Sequence, residues 1–113
     1  MKKIQNYING EYKSPSSEEW LDNYNPSTGT VYSKIPKSTS EDVALAYKAA
    51  SDAFPSWSNT TLEERSKIML RIADLIEANL NELAKAESID NGKPLSLAKV
   101  VDIPRASSNF RFF

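Results

Sequence analysis

Few side chains in these 113 residues can carry chemistry, and the composition narrows them sharply. There is no cysteine and no histidine, which removes disulfides, thiolate nucleophiles, thiolate metal sites and an imidazole base. Carboxylates, lysines and aromatics remain. Glu63-Glu64 is a carboxylate pair, but helical neighbours one apart do not face each other. With Thr61 ahead of them they read as a capped, solvated first turn. Asn91-Gly92-Lys93-Pro94 sets a lysine after a glycine, as a phosphate grip would. The glycines at 10, 29 and 92 are too scattered for a phosphate-cradling loop, and a helix-ending turn explains the tetrapeptide better. Trp20 and Trp57, with the tyrosines, could stack bases. A balance of 14 basic against 15 acidic residues supplies no basic groove, so packing is the favoured role. Asp102 is the one acid in the apolar run Val100-Val101-Asp102-Ile103. It reads either as a helix N-cap or as a hard-cation ligand beside turn carbonyls.

The same balance, a formal charge of −1, removes any bulk electrostatic case for nucleic acid or an anionic membrane as partner. No stretch approaches the roughly 18 apolar residues that cross a bilayer. Lys2-Lys3 is not followed by the apolar run of a secretory signal, and a cytoplasmic protein is expected.

The elements that would hold these residues change character near residue 38. Residues 1–38 read as short strands and tight turns. Gln5-Asn6-Tyr7-Ile8 and Glu11-Tyr12-Lys13 flank Asn9-Gly10, the pair that suits a type I′ hairpin turn. Ser14 to Ser17 reads as a loop and Trp20 to Tyr24 as a strand. Asn25-Pro26-Ser27-Thr28-Gly29 is a turn. Thr30 to Ile35 alternates and is β-branched, with Pro36 expected to end it.

Residues 39–113 read as three or four helices. Ser40 is the expected N-cap of the first, with Glu41 and Asp42 in its first turn. Val43, Tyr47, Ala50 and Phe54 recur at helical spacing until Pro55, which should stop the helix. Thr61-Leu62-Glu63-Glu64 is a capping box. Behind it Leu62, Ile68, Met69, Ile72, Leu75, Ile76 and Leu80 form a wide apolar stripe. A break is expected at Asn79, and a C-cap at Asn91-Gly92. A last helix should hold Leu95, Leu97, Val100 and Val101. There Asp102-Ile103-Pro104 either recaps the chain or kinks it. The helical stripe is wider than so small a sheet can cover. The close on Phe110-Arg111-Phe112-Phe113 points to a continuation.

Taken together, these motifs resemble the N-terminal quarter of an aldehyde dehydrogenase. The resemblance begins at Tyr7-Ile8-Asn9-Gly10-Glu11-Tyr12 and continues through Asn25-Pro26-Ser27-Thr28-Gly29-Thr30-Val31. It includes Ser40-Glu41-Asp42-Val43, Ala49-Ala50 to Ala53-Phe54, and Trp57. Glu64-Arg65, Ala73-Asp74-Leu75-Ile76-Glu77 and Asp90-Asn91-Gly92-Lys93-Pro94-Leu95 follow in the family's order. Phe54-Pro55-Ser56-Trp57-Ser58, Asp102-Ile103-Pro104-Arg105-Ala106 and Asn109-Phe110-Arg111-Phe112-Phe113 resemble the branch acting on 2-aminomuconic and 2-hydroxymuconic semialdehydes.

The resemblance implies an α/β protein in full form and oxidation of an aldehyde to a carboxylic acid with NAD or NADP. In the family a cysteine thiolate attacks the aldehyde and a glutamate-activated water releases the acid. Both groups lie later in the family's sequence, as do the cofactor-holding residues. No catalytic or cofactor-binding residue carries over, and the isolated chain is expected to be inactive. The early strands resemble the family's oligomerisation strands, which implies a homo-oligomer. Residues 39–113 resemble the first helices of the cofactor-binding domain. Many members hold a structural monovalent cation, and the matching positions are the carbonyls of Asn23 and Tyr24 and the Asp102 carboxylate. The alternative is a free-standing helical interaction module derived from the family. It would bind an intact subunit or another partner through Phe110, Phe112 and Phe113.

Overall fold

The computed structural model describes residues 1–113. Five short strands come first: β1 (Lys2–Lys3), β2 (Asn6–Ile8), β3 (Glu11–Lys13), β4 (Trp20–Asn25) and β5 (Thr30–Pro36). Helices follow as α1 (Ser40–Ser58), α2 (Leu62–Ala78), α3 (Leu80–Asn91) and the single turn α4 (Leu95–Leu97). A π-helical turn (Ala98–Asp102) then leads into α5 (Ile103–Phe112). The strands-then-helices order is the expected one. By packing, the chain forms two compact units. One comprises residues 1–24 and 29–59, the other residues 25–28 and 60–113. The change of composition near residue 38 marks where strands give way to helices, a different boundary from that of the units.

In the first unit β2 and β3 form the expected antiparallel hairpin, with Ile8 opposite Glu11. Asn9 (φ 54°) and Gly10 (φ 79°) both take the positive φ that a type I′ turn demands. A second sheet has the order β1-β5-β4. The β1 strand lies parallel to β5, with Lys2 opposite Ser33, and the Ile4 amide extends the ladder to the Lys34 carbonyl at 2.8 Å. Two residues paired with a strand thirty positions away leave no periodic mark in the sequence. This parallel pairing therefore adds to the antiparallel strands expected. Lys3 places its ammonium 4.7 Å from the Trp20 ring centre, a cation–π contact that ties the two outer strands of this sheet.

Several local expectations are corrected. The cap of α1 is Thr39, one residue ahead of Ser40. Pro55 lies inside α1, which continues to Ser58. A proline in the last turn removes one backbone donor, and side chains that follow it serve the carbonyls at the helix end. Ser56 Oγ donates to the Ala53 carbonyl, while Ser58 Oγ and Asn59 Nδ2 both donate to that of Pro55. Asp102 does not cap α5. Its φ of −68° and ψ of −52° are helical and its side chain makes no cap bond. The backbone absorbs Pro104 instead by widening, and the Ile103 N–H reaches back to the Ala98 carbonyl.

The second unit follows its sequence more closely. Thr61 caps α2, and its hydroxyl accepts from the Glu64 N–H at 3.1 Å. Glu64 in turn accepts from the Thr61 N–H at 2.9 Å. Asn79 separates α2 from α3, and Gly92 ends α3 at φ 78°. Small residues sit where the helices meet: Ala73, Ala84 and Ala98 are fully buried and Ser107 is 2% exposed. Many of the large apolar side chains stay exposed. Val43, Tyr47 and Phe54 of α1 are about two-thirds exposed or more, and Phe112 and Phe113 more than four-fifths. The regular apolar stripe on α1 is therefore a helix face without cover in this chain, not a core. No helix is long and apolar enough to cross a membrane.

Candidate functional site

Of the three residues expected at a cation, Asn23 and Tyr24 belong to the first unit and Asp102 to the second. Asn23 sits on β4, and its Nδ2 donates to the Tyr32 hydroxyl at 3.0 Å and to Ser33 Oγ at 3.2 Å. Tyr24 is the next residue of the same strand, with its side chain largely exposed. Asp102 ends the π-helical turn and faces Lys93. The Lys93 ammonium donates to Oδ1 at 2.8 Å and lies equally close to Oδ2. Oδ2 is buried and accepts no hydrogen bond. The Lys93 ammonium, 2.8 Å from both carboxylate oxygens, therefore already stands where a cation bound to Asp102 would sit. The phosphate-grip reading of Lys93 fails on the same contact, because its ammonium is committed to Asp102.

Two further clusters were not foreseen. Asp42 is 5% exposed and gathers the start of α1 and the loop before β4. It accepts from the Thr39 N–H at 2.7 Å, the Ser16 N–H at 2.9 Å and the Ser16 hydroxyl at 3.2 Å. These bonds, the Thr39 amide foremost, hold its carboxyl below the usual range despite partial desolvation. The pattern Thr39-x-x-Asp42 could have revealed the cap, since it is a capping box with aspartate in place of glutamate. Nothing local could have revealed Ser16.

The second cluster ties α5 to α2. Ser107 donates to Glu77. Arg111 donates to both Glu77 oxygens, at 3.1 and 2.9 Å, and to Asp74 at 2.8 Å. Hydrogen bonding by Ser107 and then Arg111 holds Glu77 below its ordinary pKa. The same carboxylates, Asp74 first, hold the Arg111 guanidinium above its own. The partners lie 30 to 37 residues apart, so only the packing of the two helices brings them together.

These side chains cap helices and pin segments to one another, which is the work of a scaffold. The match to known proteins covers nearly all of that scaffold. The aldehyde dehydrogenase family matches residues 12–113. The chain is 48% identical over 110 residues to human 2-aminomuconic semialdehyde dehydrogenase, and 50% identical over 110 residues to the Bos taurus protein of that name. Each match covers 97% of this chain and 22% of the relative. Among solved structures, the NAD+ complex of aldehyde dehydrogenase from Bacillus cereus superposes with a TM-score of 0.94 at 38% identity. That match covers 98% of this chain and 23% of the other. The chain belongs to the aldehyde dehydrogenase family. It spans about a fifth of the length of the relatives it matches.

Proposed function

We propose that this chain is the N-terminal scaffold of an NAD(P)-dependent dehydrogenase that oxidises a muconic-type semialdehyde to its carboxylic acid. The observation that carries this reading is the 48–50% identity, through 97% of the chain, to 2-aminomuconic semialdehyde dehydrogenases. NAD serves as hydride acceptor in this reading, as the NAD+ complex of the Bacillus cereus relative suggests. The residues here do not themselves fit a nucleotide. Gly10, Gly29 and Gly92 lie in three separate turns and build no phosphate loop. The chain's contribution is positional: capped helices, the Asp42 anchor and the α2–α5 ion pairs. The uncovered faces of α1 and α5 are the surfaces on which the rest of an enzyme would pack.

The test is NADH formation by the full-length protein, with 2-hydroxymuconic semialdehyde compared against a simple aliphatic aldehyde. A preference for the semialdehyde supports the reading. Turnover of simple aldehydes alone would refute the substrate class, and turnover by the isolated 113-residue chain would refute the scaffold role.

Three further parts belong to the same proposal. Strands 1–38 serve a homo-oligomer, as their likeness to the family's oligomerisation strands suggests, and the mass of the full-length protein in solution tests it. A cytoplasmic location belongs to the same reading, and fractionation tests it. A structural monovalent cation binds at Asp102 together with the carbonyls of Asn23 and Tyr24. Its support is the likeness of these three positions to the family's cation ligands, and it requires the Lys93 ammonium, 2.8 Å from both Asp102 oxygens, to give way to the ion. Full-length Asp102→Ala should lose any potassium- or sodium-dependent gain in stability, and an unchanged cation dependence would refute the site.

A further inference from the structure

Asparagine precedes glycine twice in this chain, at Asn9-Gly10 and Asn91-Gly92. In that pair the glycine amide nitrogen can attack the asparagine side-chain carbonyl, because no Cβ shields it. The two copies meet opposite environments. Asn91 is the last residue of α3 and is held at every point. Its Nδ2 donates to Glu87 at 2.6 Å, and its Oδ1 accepts from the Lys93 N–H at 2.8 Å. The attacking nitrogen, that of Gly92, is bonded to the Ser88 carbonyl at 3.0 Å. The space beside Gly92 is filled by Pro26, whose Cγ lies 3.0 Å from where a Cβ would stand.

Asn9 is the reverse. Its side chain is exposed and takes no part in hydrogen bonding. The space beside Gly10 is open to beyond 4 Å. The hairpin that carries the pair has three residue pairs, and two of its large side chains, Tyr7 and Tyr12, are 65% and 73% exposed. So short a ladder opens readily, which frees the turn to adopt the geometry of attack.

We propose that Asn9 is a site of spontaneous deamidation through a cyclic imide. The Gly10 nitrogen bonds to the Asn9 side-chain carbonyl carbon, the C–N bond of the side-chain amide breaks, and ammonia leaves. Water then opens the ring at either carbonyl, giving aspartate or isoaspartate, with no other reagent consumed. The isoaspartyl product carries an extra methylene in the main chain at a two-residue turn whose φ values of 54° and 79° set the strand register. It also adds a negative charge two positions from Glu11. Both effects act against the β2–β3 pairing, so the modification releases the hairpin.

The test is to incubate the full protein at mildly alkaline pH and map its peptides over time. Asn9 is expected to lose its amide first, faster as pH rises, into a mixture of isoaspartate and aspartate. Asn91 should lag by about tenfold or more, the factor that its closed hydrogen bonds supply. Equal or faster conversion at Asn91, an intact Asn9 after other asparagines have changed, or conversion of Asn9 to aspartate alone would each overturn the proposal.

Discussion

The Ser16 amide donates to Asp42 Oδ1 at 2.9 Å across 26 residues of chain. The carboxylate that closes the first turn of α1 also fixes the loop leading into β4. A helix cap and a tertiary anchor are thus one group, and Pro15, next to Ser16, is fully buried. Asp42→Asn can accept fewer of the three bonds and should lower the thermal midpoint by several degrees. Ser40→Ala, beside the true cap, should leave the midpoint nearly unchanged. Equal losses in a melting scan would return the cap to Ser40.

Acid should expose the same group. Asp42, Glu64 and Glu77 are all held below their ordinary pKa, chiefly by Thr39, Thr61 and Ser107 respectively. A lowered carboxyl contributes stability that is present above its unfolded value and lost as pH falls through its folded one. Stability should therefore drop on acidification below the ordinary carboxylate range, and less steeply in Asp42→Asn. Unfolding midpoints across an acid pH series would measure both slopes.

Thr61→Ala removes the acceptor for the Glu64 amide at the start of α2. The loss should be about 1 kcal/mol, and Thr61→Ser should restore most of it. The Glu64 titration, followed by NMR, should move back up toward the usual glutamate range in the alanine variant.

Gly92 and Gly10 separate two reasons for needing glycine. Both take positive φ, but only Gly92 has a neighbour in the way, Pro26 Cγ at 3.0 Å. Gly10→Ala should lose about 1 kcal/mol from backbone strain alone. Gly92→Ala should lose more, and Pro26→Ala should recover part of that excess. A double-mutant cycle on Gly92 and Pro26 measures the coupling.

Ser107 packs at 2% exposure against Ala73, itself fully buried. Ser107→Leu should force α5 off α2 and destabilise by about 1–3 kcal/mol. Arg111→Ala lies at the rim of the same contact, where exposed ion pairs contribute little, and should matter less. Chemical denaturation of the two variants ranks them.

Much of this was legible because it is local. The Thr61–Glu64 box, the Asn9-Gly10 turn, the break at Asn79 and the Gly92 cap each depend on residues within four positions of one another. Short-range hydrogen bonds and φ preferences select them with little entropy to overcome. The family was legible for a different reason: several weak motifs in one order reinforce each other. Pro55 does not stop α1 because it falls in the last turn before Ser58, where its penalty is a single missing donor.

What the tertiary structure alone decided involves partners far apart in the chain. Asp42 binds Ser16, β1 pairs with β5, Ser107 meets Ala73, and Arg111 holds Asp74 and Glu77. No spacing rule reports such pairs, because closing a long loop is favourable only after the packing that surrounds it has formed. Asp102 shows the difference. Its sequence allowed a cap or a cation ligand. The widened turn around Pro104 excludes the cap and sets the carboxylate against Lys93, because a helix that absorbs a proline by reaching back five residues has no free N-terminus there to cap.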